Sequence, residues 1–170
     1  MEGADALGLI AEVGIAIAGF AGVIATLRAR GGRIGAYAAM RIGILFVFSA
    51  SAVLLALLPF AFQFANLASA TIWALSSSAM LVILGTVQFV MFRISRSALP
   101  SAPEDRAPGV GLVITYSAAI LAGVHVLQLA NAAFFRQLWP FYVGLLIITT
   151  FSLFMFAYIL FAPARSEVQA

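Results

Sequence analysis

Two ionisable side chains in this 170-residue chain lie in strongly apolar surroundings: Glu12 within AEVGIAIAGFAG and His125 within ILAGVHVLQLAN. Carboxyl and imidazole groups in such runs commonly bind a cation or relay a proton, since each can hold or release one where water is scarce. Counted along a helix at about 1.5 Å per residue, each lies about 9 Å inside its run. Glu12 is six residues past Ala6, and His125, the chain's only histidine, is six before Asn131. Both are therefore expected in one layer, with Gln63 and Gln128 just above and Ser76, Ser77 and Ser78 near the same level. These seven residues form the candidate polar or ion site.

Missing residue types exclude other chemistry. The nine basic residues are all arginine, so no lysine is present to form a Schiff base, and there is no cysteine. One histidine without cysteine builds neither a typical zinc site nor a bis-histidine haem site within a chain. No glycine-rich phosphate loop occurs. A dyad of His125 with one of Ser76–Ser78 would lack the G-x-S-x-G elbow, and three consecutive serines suit polar packing better. No catalytic residue, metal site or cofactor is expected.

The elements that position these groups follow from composition. The chain is 64% hydrophobic and 9% charged, against roughly 45–50% and about 25% in soluble domains. The expected solvent is lipid. Five runs reach the roughly 20 residues that a bilayer-crossing helix needs, at about 6–27, 40–62, 67–92, 109–131 and 139–161. The first differs from a secretory signal in its acidic start, MEGADA, and in its length. The expected fold is an all-α polytopic membrane protein, one membrane domain over 1–170, with a leading helix and two helical hairpins.

Arginine placement sets the orientation. With five spans, Arg28, Arg30, Arg33, Arg41, Arg93, Arg96, Arg106 and Arg165 share one side, and Arg136 alone takes the other. The positive-inside rule then puts the N-terminus outside and the C-terminus in the cytoplasm, in a bacterial inner (plasma) membrane. The basic stretch RARGGRIGAYAAMR is explained by this topology without nucleic acid. Its Arg28, Arg30, Arg33 and Arg41 are expected to meet anionic lipid headgroups. The Pro- and Ser-rich segment 95–109 reads as a flexible cytoplasmic loop.

The outer tips resemble one another. Gln63-x-Ala65-Asn66 recurs as Gln128-x-Ala130-Asn131, Trp73 and Trp139 follow at similar distance, and Ser51-Ala52 has a counterpart in Ser117-Ala118. A parallel repeat of two hairpins would produce this pattern.

Helical spacing assigns the faces. In span one, Ala11, Gly14, Ala18, Ala21, Gly22 and Ala25 share a small-residue face, and Gly14, Ala18 and Gly22 allow another helix to come close. Val13, Ile17, Phe20, Ile24 and Leu27 then face lipid, and Glu12, at the edge of the small face, points into protein. Span two has a seam of Ser49, Ala52, Ala56, Pro59 and Gln63, in which Pro59 frees the carbonyl of Leu55. Span three aligns Thr71, Ser78, Gly85 and Gln88, with Ser76 and Ser77 alongside. Span four aligns Ser117, Leu121, His125, Gln128 and Ala132.

Two functions fit. One is a small channel or carrier for a cation or proton, homo-oligomeric because five short spans enclose little space. The other is an accessory or assembly subunit docked on a partner membrane protein, with Glu12 a satisfied polar lock.

Overall fold

The computed structural model describes residues 3–30, 36–98 and 110–161, and it is all-helical, with no strand among the described residues. Helix α1 runs Ala4–Arg30, α2 Ala36–Phe64 and α3 Ser69–Ala98. Helix α4 runs Val110–Ala130 and continues as one π-helical turn, Asn131–Phe135, before α5 at Leu138–Phe161. These segments are rich in the strong helix formers Ala and Leu. Pro59 lies inside α2, which continues through it. All five helices contain a stretch long and apolar enough to cross a membrane, from Ala4–Leu27 to Leu138–Leu160.

The helices outrun the apolar stretches, because ladder hydrogen bonding continues into residues that apolarity alone would exclude. Thus α1 reaches Arg30, α2 begins at Ala36, and α3 carries Ser95–Ala98 as helix rather than loop. The rest of the expected loop, 99–109, lies outside the described residues.

Helix α5 is central and packs against the other four. Helix α1 lies along α2 and α5, α3 sits between α2 and α4, and α4 closes against α3 and α5. The main core gathers Leu7, Phe48, Leu55, Trp73, Met80, Phe141 and Leu145. A second cluster, Ile17, Ala21, Leu45 and Ile159, joins α1, α2 and α5 nearer the other end.

The packed face of α1 is centred on Gly14, which correct part of the expected pattern. A Cβ added to Gly14 would stand 2.7 Å from Val53 Cγ2 and 3.2 Å from the Ser49 carbonyl, so backbones do approach there. Ala18 is half-buried, but Gly22 is exposed and an added Cβ would meet nothing within 4 Å. Ile17, expected toward lipid, is buried beside Leu7, Ile10, Ala11 and Ala21. Glycine fixes where the backbones come nearest, and large side chains fill the space on either side. The seam of α2 matches expectation: Ser49, Ala52, Ala56 and Pro59 are buried, although Gln63 is exposed. On α3 the buried stripe is Ile72, Trp73, Ser76, Ser77, Met80 and Leu84, while Thr71 is exposed and Ser78, Gly85 and Gln88 are half-buried.

The matching outer tips occupy different surroundings. Gln63 and Asn66 are exposed, whereas Gln128 and Asn131 are buried; Trp73 is buried and Trp139 exposed. Asn66 takes the left-handed backbone itself, at φ 53°, and its N–H bonds the Gln63 carbonyl. In the second hairpin that conformation falls to Arg136, at φ 51°.

Candidate functional site

The seven candidate residues separate into three places: Glu12 on α1, Gln63 at the end of α2, and the other five on α3 and α4. Glu12 is exposed on α1, on the face opposite Gly14, together with Asp5, Ala16, Gly19 and Val23. His125 is half-buried on α4. Its Nδ1 lies 2.7 Å from the Leu121 carbonyl, and its Nε2 would lie 3.8 Å from a Cβ added to Gly85 of α3. Helices α1 and α4 flank α5 rather than each other, so the two groups do not meet within one chain. Within the single chain Glu12 points away from the bundle, and Ala16 and Gly19, which share its face, are as small as the residues of the packed face.

What the fold does bring together is a buried polar knot between α3, α4 and the start of α5. The Asn131 amide donates from Nδ2 to Ser77 Oγ at 2.8 Å and to the Gln137 carbonyl at 2.9 Å, and Oδ1 accepts the Gln137 N–H at 3.0 Å. The Arg136 N–H reaches the Asn131 carbonyl at 2.9 Å. One side chain therefore holds both edges of the Gln137 peptide and stabilises the left-handed residue before it. Gln128 donates to the Pro140 carbonyl at 2.7 Å. It lies over Gly144, where an added Cβ would be 2.6 Å from Gln128 Nε2 and 2.8 Å from Met80 Sδ.

Ser76 Oγ and Gln128 Oε1 are buried without a hydrogen-bond partner, as is Gln88 Nε2. The two orphan oxygens lie on the inner faces of α3 and α4, where unpaired buried polar atoms are costly. Other hydroxyls are locally satisfied: Ser78 bonds the Ala74 carbonyl, Ser49 that of Leu45, Thr149 that of Leu145 and Ser152 that of Ile148. Such back-bonding lets a hydroxyl sit in an apolar helix. Gln63 belongs to a shallow hollow with Phe60, Phe64 and Asn66.

Next to the knot a cleft of about 480 Å³ opens between the starts of α1, α3 and α5, lined by Ala6, Ser69, Trp73, Arg136, Gln137, Leu138, Trp139 and Tyr142. Trp139 Nε1 donates to Gln137 Oε1 at 2.9 Å. At the opposite end Arg41 stacks 4.7 Å from the Tyr158 ring centroid and donates to its hydroxyl at 3.2 Å, so its guanidinium is engaged within the bundle. The side chains of Arg28 and Arg30, and all of Arg33, lie outside the described residues.

Sequence reasoning took Asn131 as an end marker and repeat position and Arg136 as the lone outer arginine, and it passed over Met80 and Gly144. The available signal was an asparagine at the end of an apolar run, eight residues before a Trp-Pro pair. Compared with known proteins, the chain matches no family, no curated sequence and no solved structure.

Proposed function

We propose that the five helices cross a membrane with the N-terminus outside, and that this chain is the repeating subunit of a small homo-oligomeric channel or carrier for a cation or proton. The supporting observation is Glu12: a carboxyl well inside an apolar helix, on a face left exposed among the described residues. A charged side chain costs about 2.5–3.5 kcal/mol near the centre of a bilayer, so such a face calls for a neighbour. The filled interior, where Met80 and Gln128 close over Gly144, favours a path between subunits over one through a single bundle. Arg28, Arg30, Arg33 and Arg41 then lie on the cytoplasmic side, near anionic headgroups.

The same filled interior supports a second reading, an accessory subunit whose α1 face docks on a larger partner. Purification in mild detergent followed by reconstitution in vesicles separates the two. Transport predicts a homo-oligomer that passes protons or a monovalent cation, with flux lost in Glu12→Gln while assembly persists. A stoichiometric foreign subunit and no flux would replace it with the accessory reading. Orientation is tested with single introduced cysteines, which the cysteine-free chain makes unambiguous. Positions 66 and 136 should label from outside, and 103 and 166 only from inside. Outside labelling at 103 would sink the topology.

A further inference from the structure

We infer that copies of this chain associate head to tail, α1 of one copy lying against α3 and α4 of the next, so that Glu12 meets His125 of that neighbour. The inference rests on the oligomeric part of the proposal above and not on transport.

Three observations favour a second copy as the occupant. The first is level. Gly3 abuts Leu138 at the start of α5, and Gln128 of α4 reaches Pro140 and Gly144 of α5. Glu12 is nine residues, about 14 Å, along α1 from Gly3, and His125 is three residues, about 4.5 Å, further in than Gln128. The two groups thus lie within about one helical turn of the same depth.

The second is shape. The exposed face of α1 carries Ala16 and Gly19 beside Glu12, and a Cβ added to Gly19 would meet nothing within 4 Å. The facing surface has half-buried Gly85 on α3, with exposed Ala118 and Ala122 on α4. Successive helices alternate in direction, so α1 and α4 of neighbouring copies run antiparallel. Matching 12 with 125 then brings 19 close to 118.

The third is chemistry. A carbonyl only accepts, so the bond to Leu121 assigns a proton to Nδ1 and leaves Nε2, beside Gly85, as the nitrogen that can meet a partner. That nitrogen accepts from a carboxylic acid or, once protonated, donates to a carboxylate. Pairing α1 with α1 would instead set Glu12 against Glu12. Because the two faces differ, the contact is heterologous and closes into a ring when the rotation permits.

Oxidative cross-linking in native membranes tests this. Ala16→Cys with Ala122→Cys in one chain should give a ladder of oligomers ending at the ring size, and Gly19→Cys with Ala118→Cys should do the same. Each single variant should give no cross-link, and a mixture of complementary singles should give dimers alone. Glu12→Leu should lower the ladder yield about tenfold, equivalent to about 1.4 kcal/mol, and Glu12→Gln should largely preserve it. Dimers from Ala16→Cys alone, the absence of a ladder from both pairs, or an unchanged yield in Glu12→Leu would overturn the inference. A ladder without vesicle flux would leave it standing and remove the transport reading.

Discussion

Asn131 and Ser77 are hydrogen-bonded at 2.8 Å across the boundary between α4 and α3, and the same amide holds both edges of the Gln137 peptide. Removing it by Asn131→Ala leaves the Gln137 N–H and carbonyl without these partners. Hydrogen bonds contribute roughly 0.5–1.5 kcal/mol each, so the loss of the amide's three should be about 1.5–4.5 kcal/mol. Ser77→Ala removes a single interhelical bond and should cost about 0.6 kcal/mol, the average for such bonds in membrane bundles. Unfolding midpoints in detergent should rank Asn131→Ala well below Ser77→Ala. Equal effects would mean that the turn does not depend on the amide.

Gly144 tests the tight contact at the centre. In Gly144→Ala the new methyl would lie 2.6 Å from Gln128 Nε2 and 2.8 Å from Met80 Sδ. Met80 can swing aside, but Gln128 is tethered to Pro140. Overpacking typically costs about 1–3 kcal/mol. Adding Met80→Ala should not restore the midpoint, whereas adding Gln128→Ala should recover part of it. Full recovery with Met80→Ala would place the clash on the sulfur alone.

Gly14 and Gly22 provide a matched pair on one helix. Gly14→Leu drives a branched side chain into Val53 and the Ser49 carbonyl, and backbone cannot yield as a side chain can. A loss of at least about 1–3 kcal/mol is expected. Gly22→Leu enters open space and should leave the midpoint of the isolated subunit unchanged. The reverse order would mean that α1 is rotated from the described packing.

Five helices were legible because long apolar runs leave little choice of structure, and each run became a helix near its expected position. Which face of a helix packs was less legible. In α1, small residues occupy two faces: one holds Gly14 and Ala21, the other Glu12, Ala16 and Gly19. Spacing alone cannot rank them, because the choice depends on Val53 and Ser49 across the interface. In α2 the seam was read correctly from Ser49 to Pro59, since its opposite face carries bulky Phe46, Leu54 and Leu57 and offers no competing stripe. What was legible of the candidate site was a choice of residue types. The separation of Glu12 from His125 was not, because it depends on the central position of α5, which no local pattern encodes.

The two N–H groups of the Asn131 amide differ in the chain length they bridge, and this has a consequence for the order of assembly. Its bonds to Gln137 span six residues, whereas its bond to Ser77 spans 54. Loop closure over six residues carries the smaller entropic cost, so the turn joining α4 to α5 can set before either helix meets α3. The last two helices then arrive as a finished hairpin with one N–H still unused. That free donor finds the Ser77 hydroxyl and gives the second half of the chain its register on the first.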